Sequence, residues 1–159
     1  MLRVLAALML LLGASGAFAE SKPQKPQDSA EGVVTALYQA YTAPTGATAG
    51  FNYSDQKTAS RLLDPALTRL FVVDGRRTTA RLTLDPFVDG KPAKVENLQI
   101  ETRTVSPKEA QVTARFTALG QAKAIVYKVI LTPAGWRITD LGPVGSSETV
   151  RTILNRLPE

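Results

Sequence analysis

Apolar positions recur every three or four residues in the first half of the chain and every two in the second half. Val33, Val34, Leu37, Tyr38 and Tyr41 fall on one stripe, which predicts a helix. Asp28 and Glu31 have capping-box spacing ahead of it, and it ends near Thr42, before Pro44. Thr45 to Gly50 reads as a loop. Ser54 or Asp55 caps a second short helix with Leu62 and Leu63 on its buried side. Asp64-Pro65 then reads as a new N-cap and first-turn proline, opening a helix that buries Leu67, Leu70 and Phe71. Residues 76–83 carry no period that decides their structure. Asp85-Pro86-Phe87-Val88-Asp89-Gly90 reads as a loop with an aromatic anchor.

Beyond residue 97 the period becomes two. Leu98, Ile100 and Thr102 alternate with Gln99, Glu101 and Arg103, and after a turn at Ser106–Glu109 the chain returns with Val112, Ala114 and Phe116. Leu119-Gly120-Gln121 breaks that strand. Ala124 to Leu131 sets Ile125, Tyr127, Val129 and Leu131 against Val126, Lys128 and Ile130, and Pro133-Ala134-Gly135 turns into a last strand, Trp136 to Asp140. Ser146 or Ser147 caps a closing helix with Val150, Ile153, Leu154 and Leu157 on one side. Helices, then a meander of at least four strands, then a helix predict an α+β domain with helices packed on one face of an antiparallel sheet.

The start of the chain obeys a different logic. A single Arg3 precedes an unbroken apolar run from Val4 to Leu12, and Ala17-Phe18-Ala19 is a small-x-small cleavage pattern. Residues 1–19 are therefore read as a secretory signal peptide, too short to span a bilayer. Residues 20–29, polar and holding Pro23 and Pro26, are read as a disordered lead-in, and 30–159 as one domain. Losing Arg3 lowers the formal net charge from +5 to +4. With no Cys after the apolar run there is no lipid attachment point, and the expected location is the periplasm, as a soluble protein. Zero Cys and zero His exclude thiol redox chemistry, Cys or His nucleophile–base catalysis and the usual structural zinc sites. Any chemistry must run through carboxylates, hydroxyls, Lys or Arg.

Several residues are candidates for it. Trp136, the only Trp, shares a face with Ile138 and Asp140 on a regular strand. The plain reading makes Trp136 and Ile138 core and Asp140 a cap. The sharper one puts Asp140 at a cavity mouth as an acid or base. Asp85 and Asp89 flank Pro86 and Phe87, where Asp85 most simply caps its own turn. The loop supplies too few oxygens for calcium, and no metal or cofactor is expected. Tyr38 and Tyr41 either pack in the core or line a pocket with Tyr127 and Trp136, which requires open volume between sheet and helices. Arg76, Arg77 and Arg81 form the only local basic cluster, either a solvated run or a site for an anionic ligand, lipid or protein. Positive charge is otherwise scattered without aromatic interleaving, which argues against nucleic acid.

The Leu-rich helices before residue 73, the Asp85-Pro86-Phe87 element with Asp89 behind it, and the Gly135-Trp136-Arg137-Ile138-Thr139-Asp140 strand with its Gly/Pro loop carry a resemblance. Over roughly residues 30–157 the chain resembles a family of uncharacterised bacterial exported proteins. That family looks related to the cone-shaped fold of nuclear transport factor two, ketosteroid isomerase and scytalone dehydratase. The resemblance implies a curved, cone-like sheet wrapping helices around a pocket, and no particular activity.

The functional expectations are two. One is a non-enzymatic binding domain for a small molecule, lipid or periplasmic protein. The other is an isomerase- or dehydratase-like enzyme with an Asp base and a Tyr hydrogen-bond donor in a cone-fold cavity. A homodimer through the outer sheet face, where Val126 and Ile130 are apolar, is expected as a possible assembly.

Overall fold

The computed structural model describes residues 25–42 and 50–156. The stretch read as a signal peptide (1–19), residues 20–24, most of the Thr45–Gly50 loop and Leu157 lie outside the described residues. Helices α1 (Ala30–Thr42), α2 (Gln56–Ala59) and α3 (Pro65–Gly75) precede a sheet of β1 (Val95–Ser106), β2 (Glu109–Ala118), β3 (Gln121–Thr132) and β4 (Gly135–Pro143). A short α4 (Val150–Leu154) closes the fold. The sheet is antiparallel, curved and open, in the sequential order β1-β2-β3-β4. The α+β architecture predicted from periodicity is the one observed.

Local chemistry explains most of the boundaries. Asp55 accepts the Thr58 amide and Asp64 the Leu67 amide, so each opens a helix by satisfying a backbone donor that has no partner within the first turn. Ser29, rather than Asp28, caps α1 by accepting the Gly32 amide at 2.9 Å. Asp28 instead closes a 3-10 turn over Pro26–Asp28, accepting the Lys25 amide at 2.7 Å. That turn lies inside the stretch expected to be disordered. Gln27 anchors it by donating from Nε2 to the Arg61 carbonyl at 3.0 Å. The cap of α4 is Thr149, which exchanges bonds with Thr152, and not Ser146 or Ser147. Residues 76–83, undecided from sequence, are irregular.

Alternation holds along β2, where Ala110, Val112, Ala114, Phe116 and Ala118 are buried. It fails in β4. Val129 pairs with Ile138 and Lys128 with Asp140, so Thr139 is an extra residue with no partner across the ladder. This bulge moves Asp140 off the face it shares with Trp136 and Ile138 in a regular strand, and Leu141 takes the core position opposite Tyr127. The outer edge of β4 is not left bare. Asp64 donates its amide to the Ile138 carbonyl at 2.8 Å, and Ile138 donates to Leu62 at 2.9 Å.

Candidate functional site

Four of the seven residues expected to line a pocket meet in the interior. Tyr38, Tyr41 and Tyr127 have no exposed surface, and Asp85 is 4% exposed. The Tyr127 hydroxyl donates to the Tyr38 oxygen at 2.9 Å, and the Tyr38 hydroxyl donates to the Phe87 carbonyl at 2.9 Å. Tyr41 donates to Asp85 Oδ2 at 2.8 Å, and Asp85 Oδ1 accepts the Phe87 amide at 2.9 Å. Phe87 is itself fully buried, edge-on to Phe51 and tilted against Phe71 and Tyr53. The result is a loop whose tip is plugged into the core and latched on both sides by tyrosines of α1.

Electrostatics suit a latch. Burial pushes the Asp85 carboxyl above its ordinary value, although the Phe87 amide and the Tyr41 hydroxyl both pull it back. Burial also raises all three tyrosines, with the Asp85 charge adding to the effect on each. They are held neutral and therefore remain donors. The Asp and Tyr that an acid–base site would need are bonded to one another here, and neither Tyr38, Tyr41 nor Tyr127 presents surface to a ligand.

The other three candidates lie elsewhere. Asp89 sits at the loop end with Lys123, whose Nζ donates to its carbonyl at 3.1 Å and its Oδ2 at 3.3 Å. Trp136 is half-buried at the far end of β4, beside Asp28–Glu31. Asp140 lies at the start of α4, where Oδ1 accepts the Leu141 amide at 2.9 Å and the Arg151 amide at 3.1 Å. The Arg151 guanidinium reaches back to the Thr139 carbonyl, at 3.0 Å from Nε and 2.7 Å from Nη2, and on to Asp64 at 3.3 Å. The bulge is thus what α4 and the cap of α3 hold in common. Asp140 is a cap.

The basic cluster also divides. Arg77 pairs with the buried Asp74 at 3.5 Å. Arg81 donates through Nη1 to the Leu154 carbonyl at 2.7 Å, at the end of α4. Asp74 is a residue that periodicity missed: it accepts the amides of Arg81 and Leu82 and so fixes the irregular segment after α3. Arg76 goes a separate way.

Arg76 lines a groove of about 660 Å³ between α3 and the β3–β4 turn. Pro65, Thr68, Arg69, Val72, Val73 and Arg76 form its helix wall. Their spacing of three, four, seven, eight and eleven residues from Pro65 places them on one helix face. Arg137 of β4 and Pro133-Ala134 of the turn form the opposite wall. Among the described residues none of Arg69, Arg76 and Arg137 forms an ion pair, and burial lowers the pKa of Arg137. Thr68 Oγ1 is buried with no hydrogen-bond partner among the described residues, an arrangement costing about 1–3 kcal/mol. The sequence signal for this wall was the pair Arg69 and Arg76, seven apart around Val72-Val73, and it was masked by the core stripe Leu67, Leu70 and Phe71 on the same helix.

A smaller cleft of about 250 Å³ lies between residues 81–89 and the α4 region. No protein-family model, curated protein or solved structure matches the chain. No helix among the described residues is long and apolar enough to cross a membrane.

Proposed function

We propose that the chain is a non-enzymatic binding domain, exported to the periplasm through residues 1–19, which takes its ligand in the groove between α3 and the β3–β4 turn. The single observation that carries this is the contrast between interior and surface. The tyrosine cluster is closed and hydrogen-bonded, with Asp85 tied to it at the wall of the smaller cleft, whereas the groove combines apolar surface with three cationic side chains that form no ion pair among the described residues. Its volume falls in the range of small-molecule sites. The order of helices and meander supports kinship with the cone-fold group, as a member whose interior is filled by Tyr38, Tyr41, Tyr127 and Phe87. Against the isomerase-like alternative stands the bond that ties Tyr41 to Asp85. Self-association through the outer sheet face is a weaker reading, because the register sets Ile130 between Glu109 and Arg137 and Val126 between Thr113 and Gly142, with Lys128 between the two.

Cell fractionation tests the export half: a processed chain in the periplasmic fraction is expected, and an unprocessed cytoplasmic one contradicts it. A thermal-shift screen of small organic ligands tests the groove half. Hits are expected to be lost in Ala134→Trp, which adds bulk at the groove wall, and kept in Tyr127→Phe. The reverse pattern overturns the assignment.

A further inference from the structure

The walls of the groove specify a class of ligand, provided that the groove is the binding surface proposed for the chain. The two walls differ in chemistry. On α3, the apolar strip of Val72 and Val73 runs between Arg69 and Arg76, and Val73 is 46% exposed. Opposite, Pro133 and Ala134 offer apolar surface beside the Arg137 guanidinium. Arg137 is half-buried, and among the described residues its Nη1 donates only to the neighbouring Trp136 carbonyl at 2.8 Å. Guanidinium groups present paired donors that match carboxylate and phosphate oxygens. Three of them around an apolar strip make a site that rewards negative charge and an apolar body in the same molecule. Thr68 lies in the same wall, with its hydroxyl buried and without a partner among the described residues.

We propose that the groove binds a small amphipathic anion, a single apolar chain or ring system ending in a carboxylate or phosphate monoester, with Arg137 and one of the two α3 arginines, Arg69 or Arg76, holding the head and Val72, Val73 and Pro133 the body. The occupant is a free small molecule. The groove has a volume of the right order for one, and it lies along a single helix face.

Isothermal titration of the full processed chain with octyl phosphate, octanoate, octyl glucoside and inorganic phosphate tests this. Saturable binding is expected for octyl phosphate or octanoate, and the tighter of the two identifies the head group. Octyl glucoside and inorganic phosphate are each expected to bind at least about tenfold more weakly, the former for want of charge and the latter for want of an apolar body. Arg69→Gln with Arg76→Gln, both exposed positions, is expected to weaken the anion about tenfold or more without altering the unfolding midpoint. Arg137→Gln repeats the test from the opposite wall.

Equal binding of octyl glucoside, unaffected by the arginine variants but lost in Ala134→Trp, overturns the anionic ligand and leaves the groove standing. Inorganic phosphate binding as well as octyl phosphate overturns the amphipathic requirement. No binding by any of the four probes overturns the ligand class. Thermal-shift hits that Ala134→Trp leaves intact overturn the groove itself. Co-sedimentation with anionic phospholipid vesicles, in the absence of binding to either free anion, replaces the small molecule with a membrane surface and also overturns it.

Discussion

Tyr41 and Asp85, 44 positions apart in sequence, are joined by a buried 2.8 Å hydrogen bond. The bond fixes the Asp85–Gly90 loop to α1. A second bond, from the Tyr38 hydroxyl to the Phe87 carbonyl, does the same one residue beyond Pro86. Residues that could have formed a reactive pair are used to close the interior.

The direction of each bond predicts an order of stabilities. Tyr38→Phe removes two hydrogen bonds and orphans the buried Tyr127 donor, whereas Tyr127→Phe removes one and orphans no donor. Leaving a buried donor unpaired costs about 1–3 kcal/mol. Urea unfolding is therefore expected to show Tyr38→Phe as the less stable variant by about that amount, and equal values would refute the chain of donation.

Asp85 predicts a pH dependence of definite sign. Its native pKa is raised by burial above the ordinary 3.8, so the folded state holds a proton that the unfolded state has released. Its contribution is largest below the ordinary value and is lost as pH rises through the native one. Asp85→Asn cannot ionise and lacks this loss. The stability gap between the natural chain and Asp85→Asn, measured by urea unfolding, is expected to narrow as pH rises above the ordinary carboxylate value. A gap that widens reverses the sign.

All four tyrosines, Tyr38, Tyr41, Tyr53 and Tyr127, are shifted upward, chiefly by burial. The native state thus keeps protons that the unfolded chain gives up around pH 10, and stability falls as pH rises past that value. Ultraviolet titration of Tyr53→Phe, which removes the partly exposed tyrosine outside the cluster, should show no tyrosinate until circular dichroism reports unfolding. Tyrosinate appearing at about pH 10 in a folded chain would mean that the cluster is open to water.

Gly135 turns the chain between β3 and β4 with φ of +95°, and a Cβ there would come within 2.7 Å of Gln27. Gly135→Ala is expected to destabilise by about 1–3 kcal/mol, through backbone strain and through displacement of the Pro26–Asp28 turn. Calorimetry on the variant checks this, and an unchanged melting temperature would show that the turn is not docked.

The helices and the meander were legible because burial imposes a period, and Val33 to Tyr41 or Ala110 to Ala118 keep that period without interruption. Asp64-Pro65 was legible because capping is local chemistry. The bulge at Thr139 was not. It depends on Arg151 and Asp64, which are remote in sequence and meet at the Thr139 carbonyl only after α3 and α4 have packed. Asp85 was read correctly as a turn cap through the Phe87 amide, but its second partner, Tyr41, came from another element. The groove escaped notice because its two walls belong to α3 and β4, and each wall alone looks like ordinary surface.

A closed interior and the proposed binding at the α3 groove are tested together, and most directly, by amide chemical-shift mapping of the chain titrated with octyl phosphate. The expected result is saturable shifts at Thr68, Arg69, Val72, Val73, Arg76 and Arg137, with Tyr38, Tyr41, Asp85 and Tyr127 unmoved. Shifts centred on the tyrosine–Asp85 cluster, with the groove silent, would contradict it.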